Sequence, residues 1–426
     1  MHEENYVSAC TELAVDSHKP NATVIHMSAT AKTGEAGHAR YTYRLRLSPA
    51  SRHALLAEWD RCRWVWNQCV ATSRQAHRAG EKCGPAHLDK LLTGWRRKHD
   101  WLSAGGSVPQ QQIIRDFAKS RAKALKDVKA RLPMRQRAGM PKLKKKALAR
   151  PSLNYTLRGF RITDGRLHLA GGIVCTVVWS RELPSAPSSV RVYLDAQGHW
   201  YCSFVVATEV QSLPETGQVI GIDWGVTETA TTTSVAHDLP HVEHGKRAAV
   251  KLARYQRMMA RRRPAKGKPA SQGYRKARRQ AAKAHAKVAR QRQDTARKWA
   301  MRVVRDHDAI AVEDFRPKFL AKTTMARKAA DAAISATKNE LIMMGRKHGR
   351  LVVLVDPKHT TMDCGGCGAR TKHALPLSER TYTCTACGHV CPRDKNSARV
   401  MLVRAGLYPA GVEGGRPPEA PPREAA

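Results

Sequence analysis

No segment of this 426-residue chain approaches 18 consecutive apolar residues, so none is long enough to cross a bilayer as a helix. No amino-terminal signal pattern is present either. The protein is therefore expected in the cytoplasm, with no membrane partner. Acidic residues are the other shortage. The chain carries 35 Asp and Glu against 75 Lys and Arg, a formal net charge of +40. Between 246 and 305 there are 22 Lys and Arg and a single acid, Asp294. A field of this sign captures polyanions. Nucleic acid is the expected partner, through phosphate neutralisation and counterion release. The eleven cysteines do not read as a disulfide framework. Five crowd into 364–391 with metal-ligand spacing, and the other six are scattered, as suits reduced, buried thiols.

The length suggests two to four domains, and a 42% hydrophobic fraction can build real cores. Residues 1–40 lack periodicity and read as a flexible extension. Tyr41 to Leu47 alternates as a strand, and Ser48-Pro49 then supplies a helix cap and a first helical proline. Leu55, Trp59, Cys62, Trp66 and Cys69 recur at helical spacing, and helical patterns continue to about 132. Arg115, Lys119, Arg121, Lys123, Lys126 and Lys129 place a row of charge on one of these helices. Trp64, Trp66 and Trp95 are expected in the core rather than stacked on bases. From 155 to 207 the pattern is β, with an Asp164-Gly165 hairpin. Short antiparallel strands of this kind, joined by the strand at 41–47, predict a small barrel interrupted by a helical insertion over 49–150.

Strands then alternate with helices, which predicts an α/β domain over 216–360. Two long basic helices span 246–305, broken at 261–273, and a single helix is expected from Met325 to Arg346. The proline-rich segment 409–426 reads as a disordered tail.

Three acids stand out by their settings. Asp223 ends the apolar strand Gln218 to Ile222 and precedes a Gly turn. Glu313 follows Ala309-Ile310-Ala311-Val312. Asp394 heads a short helical pattern in Arg393-Asp394-Lys395-Asn396-Ser397-Ala398. Three carboxylates on ordered elements, brought together by the fold, are what a two-Mg²⁺ phosphodiester site needs. One ion would activate water and the other would stabilise the leaving oxygen. Cys364 and Cys367 form one Cys-x-x-Cys knuckle, and Cys384 and Cys387 form a second after sixteen residues. Four thiolates at this spacing suit tetrahedral, structural Zn²⁺ over 361–391. Cys391 is surplus to that set, and His389 is a weaker rival ligand.

The order Gly-Ile-Asp-Trp-Gly, a long basic helical stretch, Val-Glu-Asp-Phe, a four-Cys ribbon and Arg-Asp-Lys-Asn-Ser-Ala resembles the TnpB family. These are transposon-associated, RNA-guided nucleases with a RuvC-like site, ancestral to compact type V CRISPR effectors. Tyr-Arg-Leu-Arg-Leu-Ser-Pro and Arg63-Trp64-Val65-Trp66-Asn67 resemble it too, so that the likeness spans about 41–405. It implies an α+β multidomain fold: an antiparallel β-barrel (wedge, 41–48 and 151–215) with an inserted helical recognition domain, and an RNase H-like α/β RuvC domain. The zinc ribbon is inserted before that domain's last segment at 392–408.

By position, Asp223, Glu313 and Asp394 match the catalytic, Mg²⁺-binding acids, and Cys364, Cys367, Cys384 and Cys387 the zinc ligands. Asn396 matches a residue that supports the third acid. The implied partners are a guide RNA and a double-stranded target DNA bearing a short adjacent motif. The implied products carry 5′-phosphate and 3′-hydroxyl ends. The family commonly has Asp-Arg-Asp where this chain has Pro392-Arg393-Asp394, a departure that removes no ligand acid.

Three rivals fit some of these features. An unguided transposase or resolvase would use the same acids without RNA. An RNA-guided DNA-binding protein with weak or no cleavage would not need the intact acidic set. A plain zinc-ribbon DNA-binding protein would leave the acids unexplained.

Overall fold

The computed structural model describes residues 22–25 and 37–407, apart from 266, 316–319, 321, 322, 372, 374 and 377. The chain folds as two units, one from Ala36 to Glu209 and one from Val210 onward that also takes in the short strand β1 (Ala22–Ile25).

The first unit opens with β2 (Gly37–Arg46), leaves for α1 (Pro49–Arg78), α2 (Pro85–Lys98), α3 (Asp100–Ser103) and α4 (Ser107–Lys129), and returns as six strands. These are β3 (Ser152–Thr156), β4 (Phe160–Thr163), β5 (Arg166–Leu169), β6 (Ile173–Val178), β7 (Pro187–Leu194) and β8 (Trp200–Thr208). The order β3-β7-β8-β2-β6-β5-β4 is antiparallel throughout and curls into a nearly closed barrel. β2 lies between β8 and β6, with Tyr43 opposite Cys202 and Leu45 opposite Val177. The helices are therefore an insertion between neighbouring parts of one sheet.

Local chemistry explains the elements. The Ser48 hydroxyl accepts from the Ser51 N–H at 3.0 Å and Pro49 opens α1. Leu55, Trp59, Cys62, Trp66 and Cys69 are all buried along that helix. Asp164 (φ 52°) and Gly165 (φ 68°) both adopt the left-handed conformation that a tight hairpin requires. The Trp66 indole donates to the Lys142 carbonyl at 2.8 Å and meets Phe117 edge-on, while Trp64 and Trp95 pack edge to face at 5.7 Å. These tryptophans are core and near-core residues, as expected.

The second unit runs through β9 (Val219–Trp224), β10 (Glu228–Thr232), β11 (Leu239–Pro240), α5 (His244–Arg261) and α6 (Gln272–Asp306). It continues with β12 (Ala309–Glu313), α7 (Ala326–Ala332), α8 (Ile334–Lys347) and β13 (Leu351–Val355), then β14 (Thr381–Thr383), β15 (Val390–Pro392) and α9 (Arg393–Ala405). Six strands form one mixed sheet in the order β1-β13-β12-β9-β10-β11, with β12 parallel to both of its neighbours. Alternation sorts the side chains. Ile220, Ile222, Ile310 and Val312 face Trp299, Ala300 and Val303 of α6 and Leu341 of α8. Ala311, Val353 and Val355 on the other face meet Met401 of α9. Among the described residues, no helix is long and apolar enough to cross a membrane.

Two sequence expectations need correction. Of residues 1–40, read as a flexible extension, 37–40 begin β2 and pair with β8, and 22–25 form an edge strand antiparallel to β13. Thr23, Val24 and Ile25 are β-branched, a signal too short to register as alternation. The remainder of 1–36 and the tail 409–426 lie outside the described residues. The single helix expected from Met325 to Arg346 is two helices, broken at Ala333 (φ 53°). An alanine-rich run carries no stop signal. The break follows Asp331, whose carboxylate accepts from the N–H groups of Gly245 (2.7 Å) and Lys246 (2.9 Å) and from Arg292 (2.8 Å), capping α5 from another helix.

At Gly221 in β9 the backbone of α9 comes close to the sheet. A β-carbon there would fall on the carbonyl oxygen of Ala398. Backbone cannot rotate away as a side chain can. Gly221→Ala is therefore expected to cost about 3 kcal/mol, the upper range for overpacking, as a lowered denaturation midpoint on urea titration.

Candidate functional site

Asp223 and Glu313 become neighbours through strand register. Val312 pairs with Ile222 in the parallel β9–β12 ladder, so the next step places Glu313 beside Asp223. Period-two alternation turns both away from the α6–α8 core, onto the face that α9 covers. Asp394 stands in the first turn of α9. The sheet supplies two carboxylates and the helix laid across it supplies the third.

The electrostatics register this convergence. Burial pushes the Asp223 carboxyl well above the usual carboxylate range, and the charges of Glu313 and Asp394 push it further against the opposing pull of Arg393. Burial likewise raises Glu313 to about 7, opposed by the Trp224 N–H and by Lys338. The Trp224 N–H donates to Glu313 Oε2 at 3.4 Å and its indole donates to the Glu313 carbonyl at 3.0 Å, which fixes the end of β12. Asp394 is the most open of the three, its side chain 47% exposed and 3.9 Å from Arg380. Asp223 and Glu313 adjoin and the Asp394 charge acts on Asp223, with Arg393, Arg380 and Lys338 opposing. Hard carboxylate oxygens are the donor type Mg²⁺ takes.

Asp314 has a different job. Lys338, buried on α8, donates to Asp314 Oδ1 at 2.6 Å and to the Phe315 carbonyl at 3.2 Å. Sequence reading missed Lys338, although a signal was there. It occupies the buried stripe Ile334, Lys338, Leu341, Gly345, where an apolar residue is the norm. Asn396 is wholly buried, but its amide serves the ribbon. It accepts from the Gly365 N–H at 2.8 Å and donates to the Asp363 carbonyl at 2.7 Å.

The four cysteines meet as their spacing predicts. Their sulfur atoms all lie within 4.8 Å of one another, with Cys364 to Cys387 at 3.8 Å and Cys367 to Cys384 at 3.6 Å. A tetrahedron with metal–sulfur bonds of about 2.3 Å has edges of about 3.8 Å, so the cluster fits Zn²⁺. Cys391 lies on β15 outside the cluster, and His389 Nε2 contacts Arg399 at 2.9 Å instead. The ribbon is tied to α9 by Asn396. It is also tied by Asp363, which takes Arg370 at 2.6 Å on one oxygen and Arg404 at 2.5 Å on the other.

A family model described as "Probable transposase" matches residues 203–323, and one described as "Cas12f1-like, TNB domain" matches 337–401. A protein of Streptomyces pristinaespiralis named "Putative RNA-guided DNA endonuclease" is 32% identical over 333 residues, covering 76% of this chain and 79% of the relative. The Escherichia coli K12 protein named "Putative RNA-guided DNA endonuclease InsQ" is 25% identical over 391 residues, covering 85% and 92%. In fold, the chain is similar to a Cas12f1 solved by cryo-EM with sgRNA and target DNA. The TM-score is 0.52 at 10% identity, covering 86% of this chain and 98% of that one.

Proposed function

The chain belongs to the TnpB family of RNA-guided DNA endonucleases, and on that footing we propose that it cuts DNA with Asp223, Glu313 and Asp394 in an RNase H-like, RuvC-type site. The observation that carries the assignment is the β9–β12 register, which sets two acids side by side under the helix bearing the third. The protein works in the cytoplasm with a guide RNA that pairs with one strand of a double-stranded target next to a short protein-read motif. Pairing supplies sequence specificity, while the protein holds the heteroduplex by shape and backbone. The +40 charge provides that grip.

The three carboxylates hold Mg²⁺, which when bound supplies Lewis acidity toward the attacking water and the leaving oxygen. Asp223 and Glu313 give the site a rigid floor, since both are fixed by one ladder. Trp224 keeps Glu313 aimed, and Lys338 keeps it ionisable near neutrality. Cys364, Cys367, Cys384 and Cys387 hold Zn²⁺ in a closed structural site.

Lys338→Met removes an ammonium that holds Glu313 down. The Glu313 pKa should rise above about 7, so more of it stays protonated at neutral pH. The acid limb of the cleavage pH profile is then expected to move to higher pH. Activity should fall several-fold at pH 6.5 and recover toward wild type at pH 8.5, on the basis that one pKa unit is a tenfold change in protonation. An unmoved limb would remove Lys338 from the site.

The function itself is tested by purifying the protein from cells carrying its native locus and sequencing the bound RNA. One abundant RNA with a constant scaffold and a variable end, supporting Mg²⁺-dependent cutting of the matching DNA, is the expected result. Heterogeneous RNA displaced by salt would overturn the guided reading.

A further inference from the structure

We propose that Lys395 and Asp238 form a charge-neutral brace that positions Asp394 against Asp223. The inference rests on the reading of Asp394 as the third site acid. Two of the acids sit on one hydrogen-bonded ladder and need no further placement. Asp394 arrives only after the ribbon, on a helix whose first turn must be fixed by side chains. Arg393 and Asn396 bind the ribbon: Arg393 donates to the Pro376 carbonyl at 2.8 Å, and Asn396 bonds to Gly365 and Asp363. Contacts of that kind carry no information about the sheet.

Lys395 does. Its ammonium donates to the Thr232 carbonyl at 2.7 Å and to both oxygens of Asp238, at 2.8 and 2.6 Å. Thr232 pairs with Ile222, and Thr231 with Asp223, in the β9–β10 ladder. The residue next to Asp394 is thus anchored on the strand that pairs with Asp223. The abutment is firm. Asp238 Oδ1 accepts from the Thr232 N–H at 2.7 Å. The turn before it is fastened to the end of α6 by His237 Nε2 to Asp306 at 3.0 Å and by the Trp299 indole to the His237 carbonyl at 2.8 Å.

Asp238 pairs with the Lys395 ammonium at 2.6 Å, so the brace itself adds no net charge to a site where Arg380 already stands 3.9 Å from Asp394.

The test uses the full chain with its guide RNA. Lys395→Met, Asp238→Asn, the double exchange Lys395→Asp with Asp238→Lys, and Asp394→Ala are compared. Three readouts are taken: Mg²⁺ dependence of cutting, Mn²⁺ binding without DNA by electron paramagnetic resonance, and amide exchange over 393–398. Lys395→Met and Asp238→Asn are expected to weaken Mn²⁺ binding and raise the Mg²⁺ needed for half-maximal cutting. The rate at limiting Mg²⁺ should fall about ten- to a hundredfold, the scale of a misplacement near 1 Å. Exchange in the first turn of α9 should accelerate, and the double exchange should restore part of each loss. Melting is measured alongside, because the pair's side chains are only 21% and 19% exposed and breaking it also lowers stability; the double exchange and the Mn²⁺ readout separate the two effects. Wild-type Mn²⁺ binding and Mg²⁺ dependence in Lys395→Met, with Asp394→Ala inactive, would overturn the brace while leaving the site intact. Undiminished cutting by Asp394→Ala would overturn the site assignment itself.

Discussion

Asp223→Asn is expected to abolish target cutting while guide RNA remains bound, and to make the metal-free protein less sensitive to rising pH. Loss of one preorganised electrostatic group in an active site costs on the order of 10²–10³ in rate, and here that group is also the proposed metal ligand. The stability effect follows from the raised acids. Glu313 titrates at about 7 and Asp223 well above its usual range, both driven first by burial. A carboxyl whose folded pKa exceeds its unfolded value favours the native state while protonated. That contribution is complete at low pH and is lost as pH rises through the folded value. Metal-free wild type should therefore lose thermal stability as pH rises from about 4.5, the ordinary glutamate value, through about 7. The Asn variant lacks one of the opposed charges and should lose less. Added Mg²⁺ should reverse that loss in wild type and do little for the variant. Cleavage assays, RNA recovery and melting curves across that range check all three parts. Cutting at the wild-type rate would sink the assignment.

Cys384→Ser is expected to empty the ribbon of zinc and to cost cleavage as heavily as loss of an acid, although no cysteine touches the carboxylates. Among its described residues the ribbon has two strands of three residues each. Its core is Cys364, Tyr382 and Cys384, with a few partly buried neighbours. That is far too little apolar surface to fold alone. Zinc binding of about 10–16 kcal/mol in comparable sites is what holds such a module together. Without it Asn396 loses both of its partners, Gly365 and Asp363, and Asp363 no longer joins Arg370 to Arg404. The helix carrying Asp394 then loses its outer clamp. Metal analysis should give about one zinc per wild-type chain and per Cys391→Ser chain, and far less for Cys384→Ser. Retained cutting in zinc-free protein would show that α9 needs no ribbon.

Much of this was legible in the sequence because it is local. The Ser48-Pro49 cap, the Asp164-Gly165 hairpin, the alternation of β9 and β12 and the Cys-x-x-Cys pairs each lie within a few residues. Physical chemistry gives those patterns few alternative readings. The three acids were legible as strand-end and helix-start carboxylates. What was hidden depends on contacts between distant segments. Asp331 capping α5, and thereby coinciding with a helix break, leaves no mark in an alanine-rich run. Lys395 looks like any exposed lysine until β10 is placed beneath it. Asn396 sits two residues from Asp394, yet its amide turns to the ribbon, a direction that only tertiary packing decides.

The order in which the three acids occur along the chain has a consequence in time. Asp223 and Glu313 are synthesised first, and Asp394 comes 81 residues after Glu313, on the last described helix. At translation rates of about 5–20 residues per second, several seconds separate a chain holding two acids from one holding all three. The barrel, the inserted helices and both basic helices are complete before that moment. On the proposed reading, a growing chain, or one clipped within the ribbon, carries the basic surface that gathers nucleic acid but not the third acid needed to break it, so capture precedes scission.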